Sequence, residues 1–113
     1  MNIRRNSEAT AHKNTEACVA YEYPMPTDAL NAAVIELSGR YPDEGWIANS
    51  AVTSLVHVVH GNGTITNKQG VTDLAAGDQV LIAPEEKYFF DGSMKLLYVA
   101  TPAWTPEQAK YTS

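Results

Sequence analysis

Residues 50–84 read SAVTSLVHVVHGNGTITNKQGVTDLAAGDQVLIAP, and the pattern of this stretch decides the fold. An apolar, β-branched run from Ala51 to Val59 stops at Gly61-Asn62-Gly63. Thr64-Ile65-Thr66 follows, then a turn through Asn67 to Gly70, then Val71 to Leu74. The turn Gly77-Asp78 leads into a last apolar run, Gln79 to Ala83, closed by Pro84. Short runs of Val, Ile and Thr divided by Gly, Asn and Asp are the mark of antiparallel strands and hairpins. No window here repeats at the i, i+3, i+4 spacing of a helix face. Any chemistry belongs on this sheet.

Working outward, residues 1–16 are polar and aperiodic and predict a loosely held arm, with one domain over residues 17–113. His12, in that arm, is expected to be solvated. Cys18 to Tyr23 alternates weakly and predicts an edge strand, ended by Pro24 and Pro26, which lack the N–H a ladder requires. The stretch NAAVIELS alternates as a strand up to Gly39, and Tyr41-Pro42-Asp43-Glu44-Gly45 carries turn chemistry. After Pro84, two further strands are expected to meet at the turn Asp91-Gly92. The tail then lies across the barrel, with one helical turn after Pro106. Eight or nine short strands with almost no helix predict an all-β sandwich or barrel.

Composition narrows the function classes. With 44% hydrophobic residues in 113, the chain can bury one core. The net charge of −5 gives nucleic acid no electrostatic footprint, and Arg4-Arg5 is too small a cluster to change that. The single cysteine, Cys18, excludes an intramolecular disulfide and favours a reducing compartment. Arg4 and Arg5 have no apolar segment behind them, so no signal peptide is expected. No run has the length of a membrane span. The expectation is a cytoplasmic protein with neither a nucleic-acid nor a membrane partner.

Two motifs resemble those of the cupins, small antiparallel jelly-roll β-barrels. One is the Gly-Asp turn, apolar strand and proline of Gly77-Asp78-Gln79-Val80-Leu81-Ile82-Ala83-Pro84, followed by Glu85-Glu86-Lys87-Tyr88. The other is the apolar strand running into Gly-x-Gly, Leu55 to Gly63. Arg40-Tyr41-Pro42 and the tail Thr101 to Gln108 also resemble a group of small single-domain bacterial cupins. Metal-binding cupins draw two histidines and a glutamate from the first motif and a histidine from the second. At the matching positions this chain has residues from Ile47 to Ser50, Ser54 and Tyr88. A serine hydroxyl and a phenol, with a pKa of about 10, are poor ligands for a first-row metal at neutral pH. The resemblance therefore implies a jelly roll with no metal and no cofactor, binding a small organic molecule in the barrel mouth.

Asn49, Ser54, Tyr88, Phe90 and Trp104 are the expected ligand-binding residues. Tyr88 has two readings: an inward phenol facing a ligand, with Ser54 and Asn49 as partners, or an aromatic core filler. Trp46 and Trp104 either cap a ligand or seal the ends of the core. An alternative function is a metal-independent isomerase, epimerase or lyase, with Tyr88 as acid and His60 or Glu36 as base. A further alternative is a non-catalytic homodimer joined through the face of Leu55, His57 and Val59. His57 and His60 are the runner-up metal ligands. Three apart on a strand, they point to opposite faces unless a bulge intervenes. His60 is expected in phase with the interior, and Glu36 on a solvated face.

Overall fold

A computed structural model describes residues 1–113. Its strands are β1 (Thr10–Thr15), β2 (Cys18–Glu22), β3 (Asn31–Ser38), β4 (Trp46–Asn49), β5 (Thr53–Asn67), β6 (Gly70–Ala75), β7 (Gln79–Ile82), β8 (Tyr88–Thr101) and β9 (Ala109–Thr112). Short 3₁₀ turns occupy Asn6–Glu8 and Pro106–Gln108, and there is no α-helix. No helix is long and apolar enough to cross a membrane.

The architecture rests on the pairing of the two longest strands. β5 and β8 run antiparallel from Thr53↔Thr101 to Asn67↔Tyr88, with one register shift between Val58 and His60. The far edge of β5 pairs with β7 over Ser54–His57 and with β6 over Asn62–Asn67. The far edge of β8 pairs with β3 over Ser93–Ala100, and its first residues meet β4 and Tyr41. The ribbon thus bends at mid-length and serves two leaves, β1-β2-β3-β8-β5-β7 and β9-β4-β8-β5-β6. This is an antiparallel jelly roll.

The glycines expected to reverse the chain instead bend it. Gly61-Asn62-Gly63 and Asp91-Gly92 are not hairpin turns but the middles of β5 and β8, where Gly63 lies opposite Gly92. A Cβ on Gly92 would stand 2.5 Å from the Cα of Gly63, so two backbones meet at a distance only glycine permits. The turn Gly77-Asp78 holds the same corner. The Gly77 N–H donates to the Val58 carbonyl (2.8 Å), and the Val58 N–H donates to the Asp78 carbonyl (2.9 Å). Asp78 closes its own turn by accepting from the Ala75 N–H at 2.8 Å.

The period-two pattern sets the core. Ser54, Val56 and Val58 of β5 and Tyr88, Phe90, Met94 and Leu96 of β8 all face inward and are buried. Cys18, Leu37 and Ile47 join them from the neighbouring strands. Burying a valine fully, as at Val56 and Val58, stabilises by roughly 1.5–3 kcal/mol each.

Three expectations at the margins are corrected. Residues 10–15 of the polar arm form β1, which pairs along β2, so β2 lies inside the leaf and β1 is its edge. The tail ends as β9, pairing with β4 from Trp46↔Thr112 to Asn49↔Ala109. Trp46 lies outside the buried core cluster. Its ring packs against Phe89 (5.3 Å between centroids), with the Lys68 ammonium 4.3 Å from its face and the Arg40 guanidinium 3.8 Å from that of Phe89.

Candidate functional site

Between the leaves lies an open-ended cavity bordered by β1, β2, β3, β4 and β8, with a water-accessible volume of about 80 Å³. Its apolar walls include Ala20, Ile35, Leu37, Ile47, Phe90 and Leu96. A larger recess of about 360 Å³ adjoins it, lined by Thr10, Tyr23, Met25, Thr27 and Asn31. Glu22, Ala33, Tyr98 and Trp104 line both spaces and mark the neck between them. An apolar chamber with a few fixed polar groups has the general character of a small-molecule site.

The polar groups form one chain of hydrogen bonds. The Trp104 indole N–H donates to Asn49 Oδ1 at 2.9 Å. Asn49 Nδ2 donates to the Tyr98 hydroxyl at 3.3 Å, and that hydroxyl lies 2.6 Å from Ser54 Oγ. An indole only donates, so the Trp104 contact fixes which end of the Asn49 amide faces which partner. Trp104 is held in turn by a backbone clamp. Asn31 Nδ2 donates to the Trp104 carbonyl and the Trp104 N–H donates to Asn31 Oδ1, both at 2.9 Å. That clamp ties the tail to β3 beside the neck.

Four of the expected binding residues, Asn49, Tyr88, Phe90 and Trp104, line the chamber. Ser54 does not line it. Ser54 is 1% exposed and its hydroxyl meets that of Tyr98, so its partner is Tyr98 and not the Tyr88 expected. Tyr98 was not among the expected residues, yet it stands at the centre of the network. Glu22 and His12 were missed too: both border the chamber from the inward phase of β2 and β1, His12 being exposed as expected.

Both phenols stay protonated. Burial raises Tyr88 well above the ordinary phenol range, the nearby Tyr98 adds to this, and the Asn49 amide acts against it. Burial likewise raises Tyr98, with the Ser54 hydroxyl opposing. Tyr88 also packs edge-on against Phe90, with ring centroids 5.6 Å apart. It is thus a chamber wall and a core aromatic at once.

His60 and Glu36 are not in the site. The bulge between Val58 and His60 turns His60 outward, where it pairs opposite Lys95, and Glu36 pairs opposite the same Lys95 from β3. Both are exposed. Neither can serve as a base for Tyr88 inside the roll. The same bulge overturns the expectation that His57 and His60 point to opposite faces. Opposite Leu97 and Lys95 respectively, both lie on the outer face, and His57 Nδ1 is 3.1 Å from Gln79 Oε1.

Nowhere do three or more His, Cys, Asp or Glu side chains converge as a metal site would require. Of the ligand types that hold a cupin metal, the chamber walls carry His12 and Glu22 only, and these do not join a third such group.

Cys18 lines the chamber and is 1% exposed. Burial pushes its thiol from 9.0 up to about 11, with Asn14 Nδ2 at 3.8 Å from Sγ working the other way. Between about pH 9 and 11 the unfolded chain gives up this proton while the native chain keeps it. Stability therefore falls as pH rises through that window, by about 2–3 kcal/mol for this group. The tyrosines add to the decline only above their own ordinary value of 10.0. Melting curves from pH 8 to 11 should show the alkaline decline of Cys18→Ala starting about one pH unit later than that of the parent. Superimposable profiles would remove this account of Cys18.

An antiparallel roll folded through one long strand pair, with its chamber inside the two leaves, is the cupin fold. Solved structures share it over nearly their full length. Pac13, described as a nucleoside dehydratase, superposes with a TM-score of 0.88 at 14% identity, over 99% of this chain and 91% of that one. A variant of the Streptomyces protein with uridine gives 0.86 at 15% identity, over 96% and 88%. An RmlC-like cupin from Shewanella frigidimarina gives 0.75 at 15% identity, over 91% and 92%. Ectoine synthase from P. lautus gives 0.77 at 14% identity, over 100% and 91%. No protein-family model and no curated protein sequence matches the chain.

Proposed function

We propose that this protein binds a small organic molecule in the chamber and neck of the roll, without a metal. The observation that carries the reading is the neck. Tyr98 and Trp104, fixed through Asn49, stand where the apolar chamber meets the outer recess. Such pre-set groups orient a ligand without the entropy cost of ordering flexible side chains. That similarly folded Pac13 is described as a nucleoside dehydratase and has been seen with uridine supports the same location for a ligand here.

The test is a thermal-shift screen with uridine, small sugars, carboxylic acids and amines, run beside Ala33→Phe. Ala33 lines both spaces and pairs directly opposite Tyr98, so a phenyl group there fills the neck against the Tyr98 ring. A true ligand at a hundred times its Kd raises stability by about 2.7 kcal/mol in the parent. Ala33→Phe should lose that rise, measured against its own melting point without compound. A hit unaffected by Ala33→Phe binds elsewhere and contradicts the reading.

A second reading, a homodimer, is favoured by the outer face of the first leaf. Leu81 is 70% exposed, Leu55 40% and Leu97 37%, and Leu55 pairs directly with both Leu81 and Val99. Adjacent apolar side chains of this kind are a common basis for association. Light scattering should then give twice the chain mass for the parent and the chain mass for Leu55→Glu.

A further inference from the structure

The chamber and recess carry an unbalanced charge. Glu22, half-buried at the neck, is their only carboxylate, and no lysine or arginine lines either space. The protein's one ion pair joins Lys13 to Glu16, so Glu22 has no ion-pair partner in the chain. His12 is the only other ionisable side chain in these walls besides the phenols and the Cys18 thiol. It lies on β1, diagonal to Glu22 in the ladder, since Thr10 pairs with Glu22 and His12 with Ala20. The remaining neck groups are the rings of Tyr98 and Trp104, with Tyr23 on the outer side and Tyr41, Tyr88 and Phe90 on the inner.

Resting on the reading that this chamber is a ligand site, we propose that its ligand is a small organic ammonium with an apolar body. The apolar body lies in the chamber against Ile35, Leu37, Ile47 and Leu96, and the charged nitrogen rests at the neck beside Glu22. Three physical terms favour this class. A partly desolvated carboxylate is stabilised by a cation and penalised by an anion. The negative quadrupole faces of Tyr and Trp attract ammonium and repel carboxylate. The net charge of −5 adds a long-range field of the same sign. An anionic ligand such as a phosphate ester or a carboxylate would meet Glu22 with no lysine or arginine to offset it.

The experiment compares ligands that share a body and differ only in the head group: benzylammonium, benzyl alcohol and benzoate, and then n-butylammonium, n-butanol and butanoate. Binding is read from the Trp104 indole N–H resonance, one of only two indole signals in the chain. It is read independently from the protection of Cys18, the only thiol, against methyl methanethiosulfonate. The ammonium member of at least one series should bind about tenfold tighter than its alcohol, and the carboxylate weakest. Glu22→Gln, checked for an unchanged melting point, should bring ammonium and alcohol within about twofold of each other, chiefly by weakening the ammonium. Equal affinity of ammonium and alcohol overturns the ammonium assignment, as does preference for the carboxylate or a preference that survives Glu22→Gln. In those cases the alcohol's binding still upholds the chamber as a site. If no member of either series shifts the Trp104 signal or protects Cys18, the site reading itself falls and the assignment falls with it.

Discussion

Gly61→Ala is expected to lower the stability of the roll by about 4 kcal/mol or more, a large part of the 5–15 kcal/mol that holds a domain of this size together. Two costs act together at this position. The backbone has φ of +86°, where an L-residue is strained by about 1–2 kcal/mol. The new Cβ would also press on the carbonyl oxygen of Ser93 in the paired strand β8, with the Met94 Cα only 3.1 Å away. Neither is the flexible end of a side chain, so relief requires moving β8 itself. A control separates the two costs. Gly70 also has positive φ (+136°) but nothing within 4 Å of its would-be Cβ, so Gly70→Ala should show the conformational cost alone, about 1–3 kcal/mol. Urea unfolding of both variants with unchanged m-values gives the comparison. Equal losses would mean that the bend between the leaves tolerates a side chain, and the close approach of β5 and β8 would then not be what fixes the roll.

That bend also shows what the sequence can and cannot reveal. The alternation of Ser54, Val56 and Val58 and the Gly77-Asp78 turn are visible as pattern, because one face of each strand is apolar and the turn has its own local chemistry. The bend is not visible, because a glycine that turns a chain and a glycine that lets two strands cross look alike in one dimension. Reading Asp91-Gly92 as a turn cut β8 in two. That cut hid Tyr98, which lies in even phase with Tyr88 and Phe90 along one continuous strand. The bulge beside His60 was equally hidden, since a single extra residue changes the facing of a side chain without changing composition. β1 escaped notice for a different reason. Its inward residues His12 and Asn14 border a cavity instead of a packed core, so TAHKNT has no apolar face to betray a strand. The residues hardest to read were thus those lining the open end, where the sheet is not filled.

Asn49→Leu carries the other large expected effect, and it discriminates a working network from a set of coincident contacts. Leucine shares asparagine's branched skeleton, with a bulkier end, but neither accepts from the Trp104 indole nor donates to Tyr98. Leaving a donor unpaired in a place water reaches poorly costs about 1–3 kcal/mol, more than the net gain from making the bond. With two partners affected, the expected loss is about 2–4 kcal/mol, read as a fall in melting temperature of roughly ten degrees or more. The asymmetry supplies the sharper test. Trp104→Phe removes the orphaned N–H, so Asn49→Leu combined with Trp104→Phe should cost less than the sum of the two single variants by about 1–2 kcal/mol. Ser54→Ala, which touches the network only through the Tyr98 hydroxyl, should couple to Asn49→Leu more weakly than Trp104→Phe does. Ligand affinity should fall in Asn49→Leu even under conditions where the variant is fully folded, because Trp104 keeps its backbone clamp to Asn31 but loses the bond that sets its ring. Strict additivity of Asn49→Leu and Trp104→Phe would show that the indole never depended on Asn49. The neck would then be a loose opening, and the orientation it is credited with would have to come from somewhere else.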